Sequence, residues 1–66
     1  MTVTINGERR EIPEGLNVLA LIEHLGMRTD RVAIERNLNI LARAQWRETQ
    51  VQANDSFEIV QFVGGG

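Results

Sequence analysis

The chain opens with alternating polar and apolar residues, a pattern that predicts a β-hairpin. Val3 and Ile5 alternate with threonines, as along a strand that is buried on one face. Asn6-Gly7 follows, the pair preferred in a two-residue type I′ loop because both of its central positions need a positive φ. This loop would place Ile12 on the buried face, before Pro13 ends the second strand. The predicted cross-strand partners are Ile5 with Glu8, Val3 with Arg10 and Met1 with Ile12.

The apolar spacing then changes from every second residue to every third or fourth, which predicts one helix. Asn17 is a suitable N-cap, and Gly26 suits the left-handed position that follows a helix C-terminus. His24 lies on the polar face of this segment and is expected in solvent. The predicted core stripe contains Val18, Leu21, Ile22 and Leu25.

Alternation returns after the helix and predicts a third strand over residues 31–36. A turn at residues 37–39, where both asparagines tolerate a positive φ, would lead to a short return strand at Ile40-Leu41. Trp46 is expected to pack into the core beneath the following loop. A polar cluster at residues 54–56 predicts one more turn.

The last strand, predicted over residues 57–63, is apolar on both faces. Phe57 and Ile59 fall on one face, whereas Val60 and Phe62 fall on the other. A single helix covers only one face of a sheet, so Val60 and Phe62, with Ala33 nearby, are expected to form an exposed apolar patch. Such patches are candidate partner sites.

The order hairpin, helix, strand, short strand, strand has one economical packing. The first and last strands pair in parallel at the sheet centre, joined by a right-handed crossover that contains the helix. This predicts an α+β, ubiquitin-like β-grasp fold over residues 1–63, with a mixed four- to five-stranded sheet and one helix on one face. The run Gly64-Gly65-Gly66 would then be a flexible tail that leaves a central strand.

Composition removes several classes of function. The 66 residues contain no cysteine and one histidine, which excludes disulfides, cysteine-based catalysis and a nitrogen/sulfur metal centre. The net charge of −2 argues against nucleic-acid binding, and no apolar run is long enough to span a bilayer. No paired acid and base is visible. We therefore expect a cytoplasmic protein that is not an enzyme, holds no cofactor and is monomeric when free.

The glycine run suggests a different kind of chemistry. When extended, three glycines reach about 10 Å, and they can pass through a channel too narrow for side chains. A terminal carboxylate is a poor electrophile at neutral pH, so a partner would have to activate it. ATP-dependent adenylation is the simplest activation, after which a sulfur or nitrogen nucleophile can attack.

Four segments together resemble the ThiS family of sulfur carrier proteins of thiamine (thiazole) biosynthesis, over essentially the whole chain. These segments are "TVTINGERREI", "VAIERN", "ARAQW" and "FEIVQFVGGG". Three departures from the family pattern fall in turns. Family members usually have a glycine in the turn at 37–39, often have proline where this chain has Ala42, and usually have Asp-Gly-Asp at 54–56.

The resemblance implies a specific role for the tail. The carboxylate of Gly66 would be adenylated by an E1-like enzyme that uses ATP and magnesium, then converted to a thiocarboxylate with sulfur from a persulfide donor. Thiazole synthase would take this sulfur and regenerate the carboxylate. Gly64 and Gly65 would thread the partner's channel, while Val60 and Phe62 would dock against the partner.

Other functions remain open at this point. A sulfur carrier for molybdopterin or another sulfur metabolite would share the fold and the tail, although molybdopterin carriers tend to be longer and "ARAQW" favours thiamine. A non-covalent ubiquitin-like binding module would have an incidental tail. A ubiquitin-type modifier would join Gly66 to a lysine of another protein.

Overall fold

The computed structural model describes residues 1–63 and contains a five-stranded sheet with one helix packed on one face. The elements are β1 (Thr2–Ile5), β2 (Glu8–Glu11), α1 (Val18–His24), β3 (Val32–Arg36), β4 (Asn39–Leu41) and β5 (Ser56–Gln61). The strand order is β2-β1-β5-β3-β4, with β1 and β5 parallel and the other neighbours antiparallel. This is the predicted β-grasp arrangement, with β5 at its centre.

The first hairpin has the predicted loop and register. Asn6 and Gly7 have φ values of 51° and 83°, so both central positions of the loop are left-handed. The cross-strand pairs include Ile5 with Glu8 and Val3 with Arg10, as predicted. The Met1 amine donates to the Ile12 carbonyl at 2.8 Å, and the Ile12 amide donates back to the Met1 carbonyl at 2.9 Å.

The side chain of Asn6 extends the pairing of β1 and β5 past the end of β1. The registered pairs between these strands are Thr4 with Ser56 and Ile5 with Phe57. Beyond them, Asn6 Oδ1 accepts a hydrogen bond from the Ile59 amide at 2.7 Å, and Asn6 Nδ2 donates to the Ile59 carbonyl at 3.2 Å. One side-chain amide thus satisfies both backbone groups of Ile59, where β1 offers no further strand residue.

The helix begins and ends as its sequence predicts. Asn17 Oδ1 accepts a hydrogen bond from the Ala20 amide at 2.8 Å, which caps the first turn. Gly26 follows the helix with a φ of 76°, the left-handed conformation expected after a C-terminus. His24 is exposed, as expected, and Leu25 is partly buried against the core.

The core lies between α1 and the covered face of the sheet. Its buried hydrophobic residues are Val3, Ile5, Ile12, Val18, Leu21, Ile22, Val32, Ile34, Trp46, Val51, Phe57 and Ile59. Trp46 is 2% exposed, and its Nε1 donates to the Leu41 carbonyl at 3.1 Å. The predicted packing of Trp46 is therefore confirmed, and its one polar group is satisfied.

A buried carboxylate holds the start of β5. Asp55 Oδ2 accepts hydrogen bonds from Arg36 Nε at 3.0 Å and from the Gln52 amide at 2.8 Å, while Oδ1 accepts from Asn37 Nδ2 at 3.1 Å. Asp55 is the only buried charged residue within the described part of the chain. Both of its oxygens are satisfied, and they join the turn before β5 to the turn after β3.

The predicted end of the last strand is wrong by two residues. β5 starts at Ser56, a residue predicted to lie in the turn, and ends at Gln61 instead of Val63. The neighbouring strand explains this limit, because Val32 is the first residue of β3 and lies opposite Gln61. One further backbone bond, from the Phe62 amide to the Arg31 carbonyl at 2.7 Å, extends the contact without extending the strand.

The turn between β3 and β4 also differs from the sequence-based prediction. Arg36 pairs with Asn39, so the loop contains only two residues, Asn37 and Leu38. Their φ values are 50° and 71°, whereas Asn39 belongs to β4. The second left-handed position therefore falls on a leucine that is 90% exposed, where the side chain gains no packing to offset the unfavourable backbone conformation.

Candidate functional site

The sheet face opposite α1 carries the apolar patch that was predicted from the last strand. Val60 and Phe62 are 59% and 54% exposed, whereas Phe57 and Ile59 are buried on the other side. The predicted division of the two faces is therefore confirmed. The docking role of Val60 and Phe62 stays a prediction.

Two neighbouring strands enlarge this patch. Ala33 on β3 lies directly opposite Val60, as expected, and Ile40 on β4 is 84% exposed next to β3. We refer to Ala33, Ile40, Val60 and Phe62 as the open-face patch. Ile40 was not among the predicted patch residues, because a three-residue turn leaves the register of β4 undefined. A two-residue turn would have placed Ile40 on the same face as Val60.

A shallow groove of about 190 Å³ crosses the open-face patch. Its lining residues are Ala33, Ile34, Glu35, Ile40, Glu58 and Val60. Glu35 and Glu58 are both exposed and lie directly opposite each other on β3 and β5. Neither forms a salt bridge with a cation of residues 1–63. The groove thus combines aliphatic walls with two unpaired negative charges.

The chain leaves the sheet beside this patch. β5 is the central strand, and its C-terminal end leads through Phe62 to the exposed Val63. Gly64, Gly65 and Gly66 lie outside the described residues, so their predicted roles in channel threading and covalent chemistry stay predictions. In the sequence, only Val63 separates Phe62 of the open-face patch from the first glycine of the run.

A larger cavity, of about 310 Å³, lies on the helical side of the molecule. It is lined by Leu19, Thr29, Arg43, Ala44, Trp46 and Arg47. Arg43 donates a hydrogen bond to the Thr29 carbonyl, and its guanidinium lies 5.0 Å from the centroid of the Trp46 ring. These contacts join the two short 3₁₀ turns at Thr29–Arg31 and Arg43–Gln45, which is a structural role.

Two kinds of feature are absent between residues 1 and 63. No group of three or more histidine, aspartate or glutamate side chains there could hold a metal ion. None of the helices in that range is long and apolar enough to cross a membrane.

Comparison with known proteins agrees with the fold. The solved structure of the thiamine biosynthesis protein ThiS from Geobacter metallireducens superimposes with a TM-score of 0.85, at 33% identity and over 100% of both chains. A thiazole synthase from Paramagnetospirillum magneticum is 41% identical over 66 residues, although this chain spans only 20% of that protein. An uncharacterized protein, ycf40, from Porphyra purpurea is 33% identical over all of this chain and 93% of its own length.

The family assignment rests on sequence as well as on shape. The model of the ThiS family matches residues 3–66, which include nearly all of the hairpin, the helix, all of β5 and the glycine run. The resemblance noted from four segments is thus confirmed across nearly the whole sequence. The chain belongs to the ThiS family.

Proposed function

We propose that this chain is a sulfur carrier protein for thiazole formation in thiamine biosynthesis, and that it acts as a cosubstrate of other enzymes. The observation that carries this proposal is the extent of the ThiS family match, which runs through Gly66. The similar structure named as a thiamine biosynthesis protein and the relative named thiazole synthase support the same pathway.

The proposed reaction takes place on the carboxylate of Gly66. In the active site of an E1-like enzyme, this carboxylate attacks the α-phosphorus of magnesium-bound ATP and releases pyrophosphate. The terminal sulfur of a persulfide donor then displaces AMP, and a thiol reduces the resulting S–S bond to leave a thiocarboxylate. Thiazole synthase takes the sulfur, and water restores the carboxylate. The carrier itself holds no cofactor in this scheme.

The rest of the chain serves recognition in this proposal. Val60 and Phe62 dock against the partner, while Gly64 and Gly65 pass through its channel because they lack side chains. The exposed apolar area is small, which suits weak and transient binding, since one carrier must visit several enzymes in the cytoplasm.

Intact-mass measurement tests the sulfur-carrier reaction directly. The protein is incubated with an adenylating enzyme, ATP, magnesium and a persulfide donor. We expect the mass to increase by the difference between sulfur and oxygen, and we expect deletion of Gly66 to abolish this change without altering the fold. If the mass stays unchanged with every competent adenylating enzyme, the proposal is wrong.

The docking role needs a separate test, because Phe62 could instead stabilise the fold. Phe62→Ser should weaken binding to the partner enzymes while leaving the free energy of unfolding nearly unchanged. Leu38→Ser is the matched control, since Leu38 is also an exposed apolar residue. Leu38 lies beyond the C-terminal end of β3, whereas Phe62 is bonded to Arg31 at the N-terminal end of that strand. A Phe62→Ser variant that unfolds easily but binds normally would show that Phe62 belongs to the core.

A further inference from the structure

Two glutamates face each other at the centre of the open sheet face. Glu35 and Glu58 are directly opposite on β3 and β5, where Cβ atoms lie about 5 Å apart. Like charges in this arrangement destabilise a sheet, whereas opposite charges stabilise it. The free domain therefore carries an unfavourable pair in the middle of the surface that is proposed to meet its partners.

The protein does not neutralise this pair itself. Among residues 1–63, the salt bridges involve the N-terminal amine with Glu11, Arg28 with Asp30, and Arg36 with Asp55. Arg9 is on the open face, because it pairs with Thr4, but it lies on the edge strand β2, two strands away from β5. Within residues 1–63, neither of the two carboxylates therefore has a cationic partner within salt-bridge distance.

The walls of the groove favour one kind of ligand. Ile40 is next to Glu35 across the β3–β4 pair, and the groove is completed by Ala33 and Val60. Long basic side chains combine an apolar stem with a charged head, so they can cover aliphatic surface while the head reaches a carboxylate. Arginine is especially suitable, because its five N–H donors can serve two carboxylates at once.

We propose that the groove between Glu35 and Glu58 receives an arginine or lysine side chain from thiazole synthase. This inference rests on the proposed function, and it identifies the partner's contribution to docking. Thiazole synthase is the expected partner, because one protein of that name contains a segment that is 41% identical to this entire chain. The basic head neutralises the like-charge pair, and its stem packs against Ile40 and Val60.

The effects of Glu35→Gln on stability and on binding distinguish a cation-binding role of the groove from a structural role. Glu35→Gln removes the repulsion, so the free domain should unfold at the same or a higher urea concentration than the wild type. The same variant should bind purified thiazole synthase about tenfold more weakly at low salt, and this difference should shrink as salt screens the charge. Glu58→Gln should behave in the same way.

Glu23→Gln is the matched control, because Glu23 is exposed on α1, which covers the other face of the sheet. This control makes the same change of charge and should bind thiazole synthase like the wild type. Equal weakening by all three variants would indicate a general charge effect and would overturn the proposal. Normal binding by both Glu35→Gln and Glu58→Gln would also overturn it, as would weakened binding to the adenylating enzyme alone.

The two proposals can fail separately. A wild-type protein that never gains sulfur in the mass experiment refutes the proposed function. A wild-type protein that gains and donates sulfur, while Glu35→Gln binds thiazole synthase as tightly as the wild type, refutes only the cation-binding role of the groove.

Discussion

Asn6 makes two separable contributions to the centre of the sheet, and two substitutions can measure them. Its backbone occupies the first left-handed position of the hairpin loop, with a φ of 51°. Its side chain forms two hydrogen bonds with the backbone of Ile59. Asn6→Gly keeps the backbone conformation accessible and removes the side-chain bonds. Asn6→Ala removes the same bonds and also places in the loop an alanine, a residue that rarely adopts a positive φ.

The geometry sets the expected sizes of these effects. The two bonds, at 2.7 and 3.2 Å, are partly buried, and each contributes about 0.5–1.5 kcal/mol. Asn6→Gly should therefore lower the free energy of unfolding by about 1–3 kcal/mol. Asn6→Ala should lose roughly 1 kcal/mol more, because a left-handed conformation costs a residue with a Cβ about 1–2 kcal/mol. A domain of 66 residues has roughly 3–10 kcal/mol in total, so either loss is large.

Urea denaturation followed by tryptophan fluorescence measures both variants, since the single tryptophan is buried in the core. Amide hydrogen exchange gives a local check, because the Ile59 amide should lose protection in both variants. If Asn6→Gly is as stable as the wild type, the side-chain bonds contribute nothing and the reasoning is refuted. If the glycine and alanine variants are equally destabilised, the backbone contribution is refuted alone.

Three further predictions concern the turns. Leu38→Gly should raise the free energy of unfolding by about 1 kcal/mol in urea denaturation, because it relieves a left-handed leucine at some cost in chain entropy; a lower midpoint would contradict this. Asp55→Ala should lower the free energy of unfolding by about 3 kcal/mol, because Arg36 loses its partner and three hydrogen bonds disappear, and an unchanged thermal midpoint would exclude that role. The hydrogen bond from Arg28 holds the pKa of Asp30 below its ordinary value of 3.8, so Arg28→Gln should raise this pKa toward 3.8 in an NMR titration of the carboxyl group. Because this pKa is lower in the folded than in the unfolded protein, the contact stabilises the fold above the unfolded-state pKa, and this stabilisation is lost as the pH falls through the folded-state pKa. The stability of the variant should therefore differ from that of the wild type in its pH dependence only at acidic pH. An unaltered pKa of Asp30 would refute the assignment.

Local signals were sufficient for the parts of the fold that depend on near neighbours. Asn6-Gly7 fixed the register of the first hairpin, and Asn17 and Gly26 marked the ends of the helix. The alternation along β5 identified its exposed face, because the side-chain period of a strand is independent of its partners. These features need only the preferences of a few adjacent residues.

Features that depend on pairing between distant segments of the chain could not be predicted from neighbouring residues. The end of β5 depends on where β3 begins, and the exposure of Ile40 depends on the length of the turn before β4. Leu38 illustrates a conflict, because residue preferences place the second left-handed position on an asparagine while strand register places it on the leucine. The turn at 54–56 was predictable from its polar residues, but the burial of Asp55 was not, since its side-chain partners Arg36 and Asn37 are 19 and 18 residues away.

The central position of β5 also affects how the protein behaves at high concentration. Sheet proteins form fibres mainly through unpaired backbone groups on edge strands. In this sheet the edges are β2, which consists of the four charged residues Glu8–Glu11, and β4, which has only three residues. The backbone of β5 is bonded on both sides, so the apolar residue Val60 offers side-chain contact without a template for strand addition. We therefore expect self-association through this surface to be reversible and not to lead to cross-β growth.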